Sequence, residues 1–146
     1  MRLGVLTEPD GENRVAIVPN SVKKLMKKGL EVFIQKGAGE KSNYSDSDYL
    51  DAGANICSRD DVLSCGIIMS IRMLESSELR KGMNLVCVAD PFRHPEKIKS
   101  CIDSNVTLFS MDMIPRRLSR AQSMDVNSSQ DNLAGYKACL LYTSDA

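Results

Sequence analysis

A short apolar run, Arg2-Leu-Gly-Val-Leu6, opens the chain, and the next, Leu30-Glu-Val-Phe-Ile34, is reached only through a turn-rich loop and a helical stretch. The loop is Glu8-Pro-Asp-Gly-Glu-Asn13, and the helix runs from Pro19 to Lys28 with Gly29 as its stop. Strand, helix and strand make a β-α-β unit, and this restricts the fold more than any other feature, because strands joined by a helical crossover lie parallel. The alternation continues. Gly37-Ala-Gly39 is the turn out of the second strand, a short helix follows near Asp46 to Ala52, and apolar strands are expected at Ile67–Ile71 and Asn84–Ala89. A helix from Pro95 to Ser104, a strand from Val106 to Ser110 and a last helix from Ser119 to Ala138 complete the reading. The expected class is α/β, with a mainly parallel, doubly wound sheet covered on both faces.

Composition agrees with one ordinary domain: 146 residues, 42% of them hydrophobic, are enough for one core. The 19 basic and 19 acidic residues cancel, so no field exists to attract nucleic acid or an anionic bilayer. The longest apolar runs, Cys65 to Ile71 and Leu85 to Ala89, are far short of the ~20 residues that span a membrane, so no direct insertion is expected. Met1-Arg-Leu-Gly-Val5 reads as a strand opening, not as a secretory signal.

Cys57, Cys65, Cys87, Cys101 and Cys139 form no C-x-x-C pair, and four of them lie in or beside apolar segments. They read as reduced, structural thiols of a cytosolic protein, with no metal site. His94, the only histidine, precedes Pro95 at a helix start and shares no motif with a cysteine, a serine or a second histidine.

Two segments invite a chemical reading. Gly37-Ala-Gly-Glu-Lys-Ser42 suggests a phosphate loop, but Ser42 stands where G-x-G-x-x-G needs a glycine, and Glu40 stands where a P-loop needs one before Lys41. A tight turn is the better reading. Arg116-Arg-Leu-Ser-Arg-Ala-Gln-Ser-Met-Asp-Val-Asn-Ser-Ser-Gln130 follows a strand and offers cations, an amide, a carboxylate and hydroxyls, which together can orient a planar amide-bearing ring. Composition alone does not separate that role from a solvated, capped helix start.

At this segment the chain resembles the alpha subunits of proton-translocating NAD(P) transhydrogenases. Residues Met111 to Ala138 are similar to the family pattern P-R-I/T-S/T-R-A-Q-S-M-D-x-L-S-S-Q-x-N-x-A-G-Y-K/R-A. Arg14-Val-Ala-Ile-Val-Pro19 resembles its R-V-A-x-T/V-P, and Gly37-Ala-Gly39, Ser45-Asp46, Tyr49 and Ala52-Gly-Ala54 match the next stretch, so the resemblance covers Met1 to Ala138. It implies an enzyme that moves hydride between NADH and NADP+ while protons cross a membrane. This subunit would bind NAD(H), and a partner subunit or domain would bind NADP(H). It also implies a homodimer of alpha subunits that works with a beta subunit and a membrane domain, cytoplasmic and peripheral on the inner face of the cell membrane. The family holds the nicotinamide in a cleft between two similar lobes, of which the second carries G-x-G-x-x-G. This chain would then be the first, Rossmann-like or flavodoxin-like lobe, truncated before the dinucleotide-binding lobe. The family's cofactor-binding loop maps onto Arg117, Gln122, Asp125 and Ser128, which orient the nicotinamide; no side chain is required as a strong acid or base.

Two departures stand out. One extra residue lies between Pro115 and Gln122, so the functional arginine is Arg117 counted back from Gln122 and Arg116 counted forward from Pro115; the unbroken match downstream favours Arg117. Asn127 replaces a leucine on an expected packed face, where an unsatisfied amide would cost about 1–3 kcal/mol. Cys139-Leu-Leu-Tyr-Thr-Ser-Asp-Ala146 resembles the translation of a sequencing-library transposase adaptor, so residues 139–146 are expected to be non-native read-through.

Two alternatives remain in view, an alanine dehydrogenase-like oxidoreductase and a noncatalytic nucleotide-binding or dimerisation module. An alanine dehydrogenase needs a substrate-binding lysine and a catalytic histidine, and alignment of Ile67-Ile-Met-Ser-Ile71 puts Ser70 and Asp90 at those positions. Without the glycine-rich lobe, the 146-residue chain is expected to show no micromolar NADH binding by calorimetry; a micromolar dissociation constant would contradict the two-lobe reading.

Overall fold

The computed structural model describes residues 1–115 and 117–144, with the backbone alone at 144. They fall into two compact units, one ending at Phe109 and one beginning at Ser110.

The first unit is built on a six-stranded sheet. Its strands are β1 (Arg2–Val5), β2 (Glu31–Gln35), β3 (Asn55–Cys57), β4 (Ile67–Arg72), β5 (Asn84–Val88) and β6 (Thr107–Ser110), in the order β3-β2-β1-β4-β5-β6. The pairings from β3 across to β5 are all parallel. The helices between strands are α1 (Pro19–Met26), α2 (Asp46–Asp51), α3 (Arg59–Leu63) and α4 (Pro95–Asp103). The expected α/β class and doubly wound sheet are both present.

Alternation along β1 explains the double winding. Leu3 and Val5 join Val15, Ile17, Val22, Val32, Ile34 and Tyr49 in one core. Leu6 belongs to the other, with Val62, Leu63, Ile68, Leu85, Cys87 and Cys101. Successive strand side chains point to opposite faces, so one short strand feeds both. Three cysteines, Cys65, Cys87 and Cys101, are buried in the second core as free thiols, and burial raises the pKa of Cys65 and Cys101. Gly4 lets α3 approach β1: a Cβ there would lie 2.7 Å from Val62 Cγ1 and 2.8 Å from the Val62 carbonyl oxygen.

The glycine segment is a turn, as expected. Gly37 has φ 76°, the Ala38 N–H donates to Gln35 O, and the Gly37 N–H donates to Asp46 Oδ1 at 2.9 Å, which leaves that donor engaged within the protein. Tyr49 on α2 is fully buried, and its hydroxyl donates to Ile17 O at 2.8 Å, which ties the turn's neighbour to the segment that leads into α1. Desolvation pushes this phenol up to about 12.

Two elements of this unit differ from the sequence reading. β3 has three residues, too few to show an alternating pattern, and α3 was not foreseen, although Ser58 and Asp61 form a reciprocal capping box that announces it. In the second unit the expected single helix Ser119–Ala138 is two, α5 (Ser119–Gln122) and α6 (Val126–Ser144).

Gly4→Ala is expected to destabilise the lobe by about 1–3 kcal/mol, because the backbone of α3 must move to admit a methyl group. Urea unfolding measures this, and an unchanged midpoint would mean that β1 and α3 are not held so closely.

Candidate functional site: a capped loop and a switch-point crevice

The residues singled out by sequence lie in the second unit. After β6 the chain makes a short 3-10 turn, Met111–Met113, in which Ser110 Oγ donates to Asp112 Oδ1 at 2.5 Å. Arg116 lies outside the described residues, and Arg117 is an exposed residue in the turn before α5. Leu118 starts the turn of helix, its carbonyl accepting from the Ala121 and Gln122 N–H groups, and Ala121 is buried. Gln122 closes α5 with an exposed side chain. Neither Arg117 nor Gln122 has a side-chain hydrogen bond or ion pair among the described residues.

Asp125 and Ser128 are in a different situation. Asp125 is 6% exposed and stands directly before α6, where its Oδ1 accepts from the Ser128 N–H at 3.1 Å and its Oδ2 from the Ser128 hydroxyl at 2.6 Å. This is helix capping by a carboxylate, favoured by the partial positive charge of the helix start. It also fits the split helix, since Asp125 caps a new helix start by taking the Ser128 N–H, one of the N–H groups that a helix start leaves without a partner. The Ser128 hydroxyl keeps its lone pairs for a further donor.

Asn127 corrects the expectation of an unsatisfied amide. It is half-buried, and its Nδ2 donates to the Asp112 carbonyl at 3.3 Å, so the polar replacement has a partner.

A second polar site lies within the first unit and was not foreseen. The strand order reverses between β1 and β4, and ligands of open α/β sheets bind beyond the carboxyl ends of the strands at such a reversal. There a crevice of about 260 Å³ is lined by Leu6, Thr7, Glu8, Gln35, Arg59 and Arg72, among others. It is smaller than the pockets that hold drug-sized ligands, and so too small for a whole dinucleotide. Gln35 Oε1 accepts from the Thr7 N–H and from Arg59 Nη1, while Arg59 Nε donates to Glu78 Oε1 at 2.6 Å. The Thr7 hydroxyl is buried with no partner among the described residues.

The crevice is walled by an acidic loop. β1 ends at Val5 while β4 runs on to Arg72, so the last N–H groups of β4 outrun their strand partner. Glu8 replaces it, accepting from the Ile71 N–H at 2.5 Å and the Arg72 N–H at 2.9 Å. Burial raises the Glu8 carboxyl's pKa, and these two N–H groups oppose the rise. Glu12 is grasped by Arg14 through Nε at 2.8 Å and Nη2 at 2.7 Å, and it lies 3.2 Å from Arg72 Nε. The Arg14 guanidinium lowers the Glu12 carboxyl from 4.5 to about 2. The turn-rich composition of Glu8 to Asn13 hid this role; the signal was a pair of acids opposite the arginines of the neighbouring segments.

Ser70 and Asp90 also have places. Ser70 is buried, its hydroxyl donating to Arg72 O, and Asp90 has φ 43° and lies 3.6 Å from Arg93. Neither lysine nor histidine stands at either position. His94 is exposed at the start of α4, with Nδ1 3.3 Å from Glu96 Oε1.

Residues 4–134 match the family model described as alanine dehydrogenase/PNT, N-terminal domain. The chain belongs to this family. NAD(P) transhydrogenase subunit alpha of Cereibacter sphaeroides is 37% identical, over 96% of this chain and 28% of the relative. Alanine dehydrogenase of Mycolicibacterium smegmatis is 36% identical, over 71% of this chain and 29% of the relative. Among solved structures, the transhydrogenase from Sinorhizobium meliloti superposes with a TM-score of 0.91 at 37% identity, covering 96% of this chain and 43% of that one. The chain thus spans less than a third of the two sequence relatives. No helix among the described residues is long and apolar enough to cross a membrane.

The Glu12 clamp is expected to make stability pH-dependent. Its depressed folded pKa contributes stability that is present above the unfolded value near 4.5 and is lost as pH falls toward about 2. Glu12→Gln should therefore be less stable than the wild type above pH 5, by about 1–3 kcal/mol, with the gap closing in acid. Denaturant unfolding at a series of pH values tests this, and a pH-independent gap would remove the clamp from the account.

Proposed function

We propose that this lobe is the NAD(H)-side first lobe of the alpha subunit of a proton-translocating NAD(P) transhydrogenase, and that its Arg117–Ser128 loop orients the nicotinamide. The observation that carries the reading is the extent of the likeness: the relative named as a transhydrogenase alpha subunit aligns over 96% of the chain, and so through this loop, whereas the alanine dehydrogenase relative aligns over 71%. The absence of a lysine at Ser70 and of a histidine at Asp90 points the same way.

The loop's donor set fits a nicotinamide nucleotide. Gln122 presents an unengaged amide that both donates and accepts, as a carboxamide does, so the two groups can pair in one plane. Arg117 supplies a fixed cation in the same loop. Ser128, its proton given to Asp125, accepts from a ribose hydroxyl or the carboxamide NH2, and Asp125 holds that serine in place. NAD(H), when bound, supplies the hydride; the chain's own residues fix which ring face is presented, and such orientation accounts for a large part of the barrier reduction in a transfer that needs no acid or base. The second lobe of the subunit holds the remainder of NAD(H), and a partner subunit or domain holds NADP(H). Alpha subunits pair as a homodimer and join a beta subunit and the membrane domain, so the lobe works in the cytoplasm, peripheral on the inner face of the cell membrane.

Replacing Gln122 and Asp125 together by alanine in the full-length subunit, assembled with its membrane and NADP(H)-binding partners, is expected to lower hydride transfer between the two nucleotide pools about 100-fold. Transfer at the wild-type rate would overturn the reading.

A further inference from the structure

The loop that carries Arg117 and Gln122 leaves the 3-10 turn Met111–Met113 and ends at the start of α6. A side-chain contact joins its two ends, the Asn127 amide donating to the Asp112 carbonyl across 15 residues of sequence. Asp112 is itself braced, because its carboxylate accepts from the Ser110 hydroxyl. On the other strut, Asn127 sits in the first turn of a helix whose start is fixed by the Asp125 carboxylate. A contact that closes a loop at its base removes conformations from every residue between its ends.

We propose that Asn127 is a positioning residue that clamps the base of the nucleotide-facing loop and so sets where Arg117 and Gln122 stand, without touching the ligand itself. This rests on the proposed nicotinamide-binding role of the loop. The clamp is a directional hydrogen bond, not apolar packing. Asparagine suits the task, since its NH2 is a donor aimed at a carbonyl, whereas an isosteric carboxylate offers only acceptors there.

The test uses the full-length subunit with Asn127→Asp, which keeps the shape and removes the donor, and Gln122→Ala in parallel. Three quantities are read: the NADH dissociation constant, the rate of tryptic cleavage at Arg117 and Arg120 followed by mass spectrometry, and the thermal midpoint. Asn127→Asp should weaken NADH binding about three- to ten-fold, the span of one hydrogen bond. Cleavage in the loop should accelerate by a similar factor, saturating NADH should slow it again, and the thermal midpoint should stay near the wild-type value. Unchanged binding and cleavage would overturn the proposal. A lowered midpoint with unchanged binding and cleavage would also overturn it, by reducing Asn127 to a structural contact. Faster cleavage with unchanged binding, while Gln122→Ala does weaken binding, would show a clamp that does not position the site and would likewise defeat the proposal. If neither variant alters NADH binding, the nicotinamide-loop reading falls, and this inference with it.

Discussion

Everything in the first unit depends on β1 being paired in parallel on both edges, with β2 on one side and β4 on the other. A strand in that place has no free edge and must satisfy a core on each face, which it does by alternating Leu3 and Val5 against Gly4 and, just past its end, Leu6. The reversal of strand order at β1 opens the crevice, and the early end of β1 leaves two N–H groups of β4 for Glu8 to receive. The acidic loop is thus a structural consequence of unequal strand lengths. Glu12 and its two arginines then hold that loop in a fixed position.

The second unit uses the opposite strategy, with Ala121 its one buried apolar residue among those described and hydrogen bonds holding the loop. Asp125 caps α6, Ser128 shares its carboxylate, and Asn127 reaches back to Asp112, so the loop is ordered by hydrogen bonds at its exit. Arg117 and Gln122, both exposed, remain available. Groups already engaged set the loop's geometry and leave the others exposed, a division that suits the proposed role of orienting a bound ring.

Much of the fold was legible because hydrophobic period and helix punctuation act locally: Pro19 and Pro95 do start α1 and α4, and Gly37 does turn the chain. β3 escaped notice since its place is set by register against β2, a long-range property. The split between α5 and α6 was invisible to propensity, as Ser, Met and Asp are tolerated inside a helix and only the engagement of Asp125 ends the continuity. Arg117, Gln122, Asp125 and Ser128 were readable as a polar set from the resemblance, but their division into engaged and unengaged groups needed coordinates. The Glu8 and Glu12 network was hidden for a related reason: its partners, Ile71 and Arg72, lie some sixty residues away along the chain.

From Ser128 to Thr143 every side chain of α6 is exposed. A helix with no covered stripe among its described residues draws its order from its backbone and its ends, and Asp125 anchors its start. Fraying in such an element is directional. The anchored turn beside the loop is the one held longest, so amide protons near Ser128 should exchange slowly.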